Sequence, residues 1–205
     1  MKATITSTAH HVPEKILTNH DIEKMVQTSD EWIQNRTGIK QRHIVSEGEA
    51  SSDLSTHVAN KLLVTRGIDA SEIDVIIVGT VTPDHLTPST AAIVQNNINA
   101  VNAWAFDLSA ACSGFLFGLE TGSKLIESGD YEKVMVIGVD TMTSILDFDD
   151  RETCVIFGDG AGGVILEPTN LDYGIISSIL RTDGSGASSL YVKAGGSRMP
   201  ASEET

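Results

Sequence analysis

Trp104-Ala105-Phe106-Asp107-Leu108-Ser109-Ala110-Ala111-Cys112-Ser113-Gly114-Phe115 decides how this chain is read. Four of its first five residues, all but Asp107, are apolar or aromatic, the composition of a strand, and small residues close the run. A helix-like stretch then extends from Cys112 to Ser128. The thiol is thereby placed at a sharp strand-to-helix turn, facing the N-terminus of its own helix. Unpaired N–H groups and the helix dipole stabilise negative charge on sulfur at such a point, and the thiolate is the nucleophilic form of cysteine. Ala110, Ala111, Ser113 and Gly114 are small enough to let a substrate approach the sulfur closely. Cys112 is the candidate nucleophile.

Outward from this elbow, strands and helices alternate. Ala3–Ala9, Ile73–Thr80, Ala103–Leu108, Lys133–Asp140, Val164–Glu167 and Gly174–Arg181 read as strands. Asn19–Gln27 and Ser89–Ile98 read as helices. So does Asp53–Arg66, whose Leu54, Val58, Leu62 and Leu63 share one face and which stops at Gly67. The alternation predicts an α/β layered fold with a mainly parallel sheet. From Thr182 onward glycine and serine dominate, the composition of a mobile loop, and the loop reads as unfinished at Ala201-Ser202-Glu203-Glu204-Thr205.

At 205 residues the chain can bury a substantial core. It carries 14 basic and 28 acidic side chains, a net charge of −14, which argues against a nucleic-acid or anionic-membrane partner. No apolar run approaches the roughly 18 residues of a membrane span. Met1-Lys2-Ala3-Thr4-Ile5-Thr6 lacks the apolar core of a signal peptide, so the expected location is the cytoplasm. A reducing compartment would keep both cysteines, Cys112 and Cys154, as free thiols. Two cysteines and scattered histidines provide no metal-ligand spacing, and no metal is expected.

Thr28-Ser29-Asp30-Glu31-Trp32-Ile33-Gln34-Asn35-Arg36-Thr37-Gly38 is a compact helix signature. Thr28 and Glu31 have capping-box spacing, and Gly38 stands where the helix would end. Trp32 and Arg36, four residues apart, share a face. An indole beside a guanidinium offers a stacking plate and a phosphate clamp, although on spacing alone a packed ring with a snorkelling charge is the commoner role. Phe157-Gly158-Asp159-Gly160-Ala161-Gly162-Gly163 fits neither a phosphate loop nor a dinucleotide fingerprint and reads as a tight turn through Asp159-Gly160. Cys154, in an apolar stretch, reads as a small core residue. Of the histidines only His85 lies in a loop after a core strand, where α/β proteins place sites, and no base for Cys112 is visible.

Taken in order, the Thr28–Ile33 and Arg36–His43 stretches, the Cys112 elbow, Asp150-Arg151 and Phe157–Gly162 resemble the β-ketoacyl-acyl carrier protein synthase III family of the thiolase-like superfamily. The resemblance runs from the N-terminus to about Asp183. It implies a thiolase-like layered αβαβα fold, of which residues 1–183 form the N-terminal half and 184–205 a flexible connecting loop, the C-terminal half being absent. It also implies an acyltransferase that initiates fatty-acid synthesis. Acetyl-CoA, or a longer or branched acyl-CoA, acylates Cys112, and malonyl-acyl carrier protein then condenses on the thioester with loss of CO2. CoA thioester enters as substrate and no cofactor is held tightly. By the same resemblance Trp32 and Arg151 sandwich the adenine of CoA, Thr28 and Arg36 touch the same molecule, and the enzyme is a homodimer. Thr87, at a position often occupied by Phe, and Met142 are implied near the acyl pocket, so primers longer than acetyl become acceptable. The family takes its catalytic His and Asn from the C-terminal half, so the 205-residue chain alone is expected to be inactive. The competing readings are a thiolase-like condensing enzyme of secondary metabolism, a cysteine hydrolase, and a binding module in which Cys112 is merely buried.

Overall fold

The structure, a computed structural model, describes residues 1–202, and the end of the connecting loop at 203–205 lies outside the described residues. In chain order the elements are β1 (Lys2–His11), β2 (Lys15–Thr18), α1 (Asn19–Ile22), α2 (Asp30–Thr37), β3 (Gln41–Ile44), α3 (Ser51–Arg66) and β4 (Val75–Gly79). There follow α4 (Thr90–Asn97), β5 (Trp104–Leu108), α5 (Gly114–Ser128), β6 (Val134–Thr141), α6 (Arg151–Cys154) and β7 (Asp159–Thr169).

Five strands form one sheet in the order β1-β7-β6-β4-β5, and β2 pairs with β3 in a separate hairpin. The pleat explains the layers. Alternate residues of a strand face opposite sides. Val75 and Ile77 of β4 therefore join Val134 and Val136 of β6 in one apolar cluster, against Ile126 and Leu119 of α5. Ile76 and Val78 join Met135, Ile137 and Val139 in another, against Leu54, Val58 and Leu62 of α3 and Ala91 and Val94 of α4. The central strands are buried on both faces, which is why they read as unbroken apolar runs. The result is a helix–sheet–helix stack.

Three expectations need correction. The sheet is mixed rather than mainly parallel: β4 pairs in parallel with β5 and β6, whereas β7 runs antiparallel to both β6 and β1. The antiparallel strand is the glycine-rich segment itself. Asp159–Gly163 is the first half of β7, in register with Ile137–Thr141 of β6, and not a tight turn. Gly163 is required there by close approach, since a Cβ would lie 3.0 Å from Ile137, from Val58 and from the Val136 carbonyl oxygen. The third correction concerns Gly174–Arg181, which is not a strand. Its Ile175 amide donates to the Ala3 carbonyl at 2.8 Å, but Ile176 and Ile179 are 77% and 84% exposed. The segment 170–202 is irregular and almost wholly exposed.

A third, smaller core joins the β2–β3 hairpin to α1, α2 and α6 through Leu17, Ile22, Ile33, Ile44, Cys154 and Val155. Cys154 is fully packed there, as read from sequence, and burial pushes its thiol above the ordinary range.

The junction of β1 with α3 carries a titrating contact. The rings of His11 and His57 stack with centroids 4.3 Å apart. Partial burial lowers the His11 pKa, and the neighbouring His57 and Lys61 lower it further. The folded chain thus prefers His11 neutral, while the unfolded chain takes up a proton near pH ~6.5. Stability should be complete above that pH and decline as the pH falls through it. Urea midpoints measured from pH ~7.5 to ~5.5 should fall more for the parent protein than for His11→Asn.

Candidate active site

The strand-to-helix elbow is built by a backbone-to-backbone contact. A Cβ placed on Gly79, the last residue of β4, would lie 2.8 Å from the Gly114 carbonyl carbon and 3.1 Å from the Phe115 nitrogen. Only glycine lets the start of α5 come so close to the sheet. The chain makes the turn through Ala111, whose φ of 47° is in the left-handed region that L-residues seldom occupy. A single 3₁₀ turn, Ala111–Ser113, carries Cys112 and runs directly into α5. Ser113 makes no side-chain cap, and the Gly114 amide at the start of α5 donates to the Ala111 carbonyl within the 3₁₀ turn. Cys112 is exposed.

Cys112 opens onto a pocket of about 510 Å³. Phe115, Val139, Asp140 and Met142 line it together with Gly79, Gly138, Gly158, Gly160, Gly162 and Gly163. The glycines of β6 and β7 make the floor nearly free of side chains, leaving room for an organic group beside the thiol. At its rim, loops are pinned by carboxylates. Oδ1 of Asp140 accepts from the Val81 amide at 2.8 Å and from the Thr82 hydroxyl at 3.0 Å. Asp159, itself buried, accepts from the Thr143 amide at 2.9 Å, the Thr143 hydroxyl at 2.5 Å and the Val45 amide at 2.8 Å. Asp107 holds the start of α4 through the Thr90 and Ala91 amides at 2.7 and 2.8 Å.

A second constellation forms on α2 and α6. The Arg151 guanidinium lies over the Trp32 ring, 4.1 Å from its centroid, and Arg36 is 6.0 Å away. Helix α2 ends at Gly38 in the left-handed conformation, as expected, but its cap is Ser29 and not Thr28. The Ser29 hydroxyl accepts from the Trp32 amide at 3.1 Å, because the helix begins one residue later than the capping-box spacing implies. The Thr28 hydroxyl is buried and without a hydrogen-bond partner among the described residues.

The structure therefore brings Trp32, Arg36 and Arg151 together, and Met142 together with Cys112. Thr87 sits in an exposed loop after β4 and does not line this pocket. His85 is exposed in the same loop, and among the described residues no histidine lines the Cys112 pocket. Sequence reading missed Asp140 and the glycine floor. An isolated Gly138 inside an apolar strand was the available signal, since such a glycine often marks close approach.

The sequence model of the family described as 3-oxoacyl-[acyl-carrier-protein (ACP)] synthase III matches residues 106–184, the segment from the elbow through β7. A β-ketoacyl-[acyl-carrier-protein] synthase III of Chlorobaculum tepidum is 57% identical over 208 residues, covering 100% of this chain and 63% of that protein. Along its whole length the chain is similar to β-ketoacyl-[acyl-carrier-protein] synthase III. A second such synthase III, from Koribacter versatilis, is 53% identical over 206 residues, covering 100% of this chain and 62% of its own length. The chain thus spans somewhat under two thirds of the curated relatives it matches. The crystal structure of the Thermus thermophilus synthase III superposes with a TM-score of 0.88 at 40% identity, covering 92% of this chain and 58% of that one. The fold is the thiolase-like α/β fold of synthase III. Among the described residues no helix is long and apolar enough to cross a membrane.

Proposed function

We propose that the full-length protein is an acyltransferase that begins fatty-acid synthesis by acylating Cys112 from an acyl-CoA and condensing the acyl group with malonyl-acyl carrier protein. The observation that carries this reading is Cys112 at a strained elbow, at the start of α5 and beside a glycine-floored pocket of about 510 Å³. In the first half-reaction the Cys112 sulfur attacks the thioester carbonyl, the new C–S bond forms, and the bond to CoA breaks to release the CoA thiol. In the second, malonyl-acyl carrier protein loses CO2, its carbanion attacks the Cys112 thioester, and the sulfur departs as the β-ketoacyl product forms. Trp32 and Arg151 would hold the adenine of CoA as two stacking plates, with Arg36 and Thr28 beside them. No cofactor beyond the CoA thioester is invoked. The His and Asn that promote decarboxylation would come from the part of the synthase outside this chain, so the 205-residue chain by itself would not condense. Homodimeric assembly and a cytoplasmic location complete the reading.

Stoichiometry tests it. Acetyl-CoA and malonyl-acyl carrier protein supplied to the full-length protein should yield CoA and CO2 in equal amounts. CoA release without CO2 would point to hydrolysis. Condensation with a malonyl group on CoA rather than on the carrier protein would indicate the secondary-metabolism relative.

The primer choice follows from Thr87 and Met142. Met142 lines the pocket and its thioether adapts to different chain lengths. Thr87 is smaller than the phenylalanine that would wall off a dimer partner's pocket. An equimolar mixture of acetyl-, isobutyryl- and hexanoyl-CoA should therefore load all three groups onto Cys112. Loading of acetyl alone would refute this.

A further inference from the structure

Arg42, at the second position of β3, is only 4% exposed, yet among the described residues it forms no ion pair. Its Nη1 donates to Asn19 Oδ1, its Nη2 donates to the Val155 carbonyl, and its Nε is buried without a partner. Burial lowers its pKa. A buried cation held only by neutral acceptors is no aid to stability, since apolar groups of similar volume commonly serve as well or better. Its contacts indicate another use. Val155 directly follows α6, the one-turn helix that begins at Arg151. Asn19 grips α2 at both ends: its Nδ2 donates to Asp30 Oδ1, at the first residue of that helix, and to the Ile39 carbonyl just past its end, each at 2.8 Å. Asp30 is in turn held by Gln34 Nε2 at 2.7 Å. A single guanidinium thus links the element bearing Trp32 and Arg36 to the element bearing Arg151.

We propose that the buried Arg42–Asn19 pair is the positioning device of the nucleotide clamp: it fixes α6 against α2 and so sets the relative placement of Arg151 and Trp32, the two plates that receive a planar base. This rests on the reading of those two side chains as the plates for a CoA nucleotide. The guanidinium suits the task because its planar fork addresses two acceptors in fixed directions, which an ammonium cannot do.

The test uses the full-length protein carrying Arg42→Lys or Arg42→Met, with adenosine 3′,5′-bisphosphate as the binding probe. Both variants should bind the probe ~10-fold or more weakly and raise KM for acetyl-CoA by a similar factor, with kcat unchanged. Acetyl-pantetheine, which has no nucleotide, should react as it does with the parent protein. That split is the signature of positioning. An unchanged Kd, or an equal loss with acetyl-pantetheine, overturns the proposal. If neither variant melts cooperatively, Asn19→Asp takes their place: it keeps the Arg42 acceptor but removes both donors to α2, and should show the same selective loss. Trp32→Ala separates the two levels of argument. If it leaves the Kd for the probe unchanged, the clamp reading itself fails. If it weakens binding while the Arg42 and Asn19 variants do not, only the positioning role fails.

Discussion

Cys112→Ala is expected to leave the full-length protein unable to accept an acetyl group, with acyl transfer from acetyl-CoA falling by ~10⁴-fold or more. Nothing else in the pocket can substitute for the sulfur. The second thiol, Cys154, is 1% exposed in a separate apolar cluster, where burial also disfavours its thiolate. Intact-mass spectra before and after incubation with acetyl-CoA provide the readout. The parent protein should gain one acetyl group, found on the peptide containing Cys112, and the variant none. A variant that still gains it on Cys154 would move the nucleophile elsewhere and end the assignment.

Gly79→Ala should come next in size, although residue 79 carries no chemistry. Its added methyl would meet Gly114 backbone at 2.8 Å, and backbone cannot rotate aside as a side chain can. The start of α5 must shift outward, and Cys112 with it. Overpacking of this kind costs about 1–3 kcal/mol of stability. Displacing a reacting group by about 1 Å can cost ~10²-fold in rate. Thermal melting and the rate of Cys112 acetylation, measured on the same sample, should both report the change. Normal acetylation in a destabilised protein would show that the elbow's placement does not depend on this contact.

The parts of the fold that were legible in the sequence are those whose residues bury on their own account. Val75–Gly79 and Val134–Val139 read as strands because both faces are covered, and α3 read as a helix because Leu54, Val58 and Leu62 meet one sheet face. Composition misled where it was answering a different demand. The glycines of β7 resemble turn residues, yet Gly163 lies against Val58, Ile137 and the Val136 backbone, and Gly160, Gly162 and Gly163 line the pocket. The β-branched run at Gly174–Arg181 resembles a strand, but only the Ile175 amide reaches the sheet. Within the site, the elbow was legible because its chemistry is local. The pairing of Arg151 with Trp32 came only through the family resemblance, because residues so far apart in sequence leave no periodic trace. The Asn19–Arg42–Val155 link joins three segments and was invisible for the same reason.

The contact of Arg151 with Trp32 has a thermodynamic side. At 4.1 Å the two groups already touch, whereas a base inserted between them needs about 7 Å, two van der Waals layers. On the proposed reading a nucleotide must first displace this cation–π contact, worth about 0.5–1 kcal/mol at an exposed site. That lowers the apparent affinity by ~2- to 5-fold relative to a clamp held open. The same guanidinium covers one face of the indole, which shields it from casual apolar ligands.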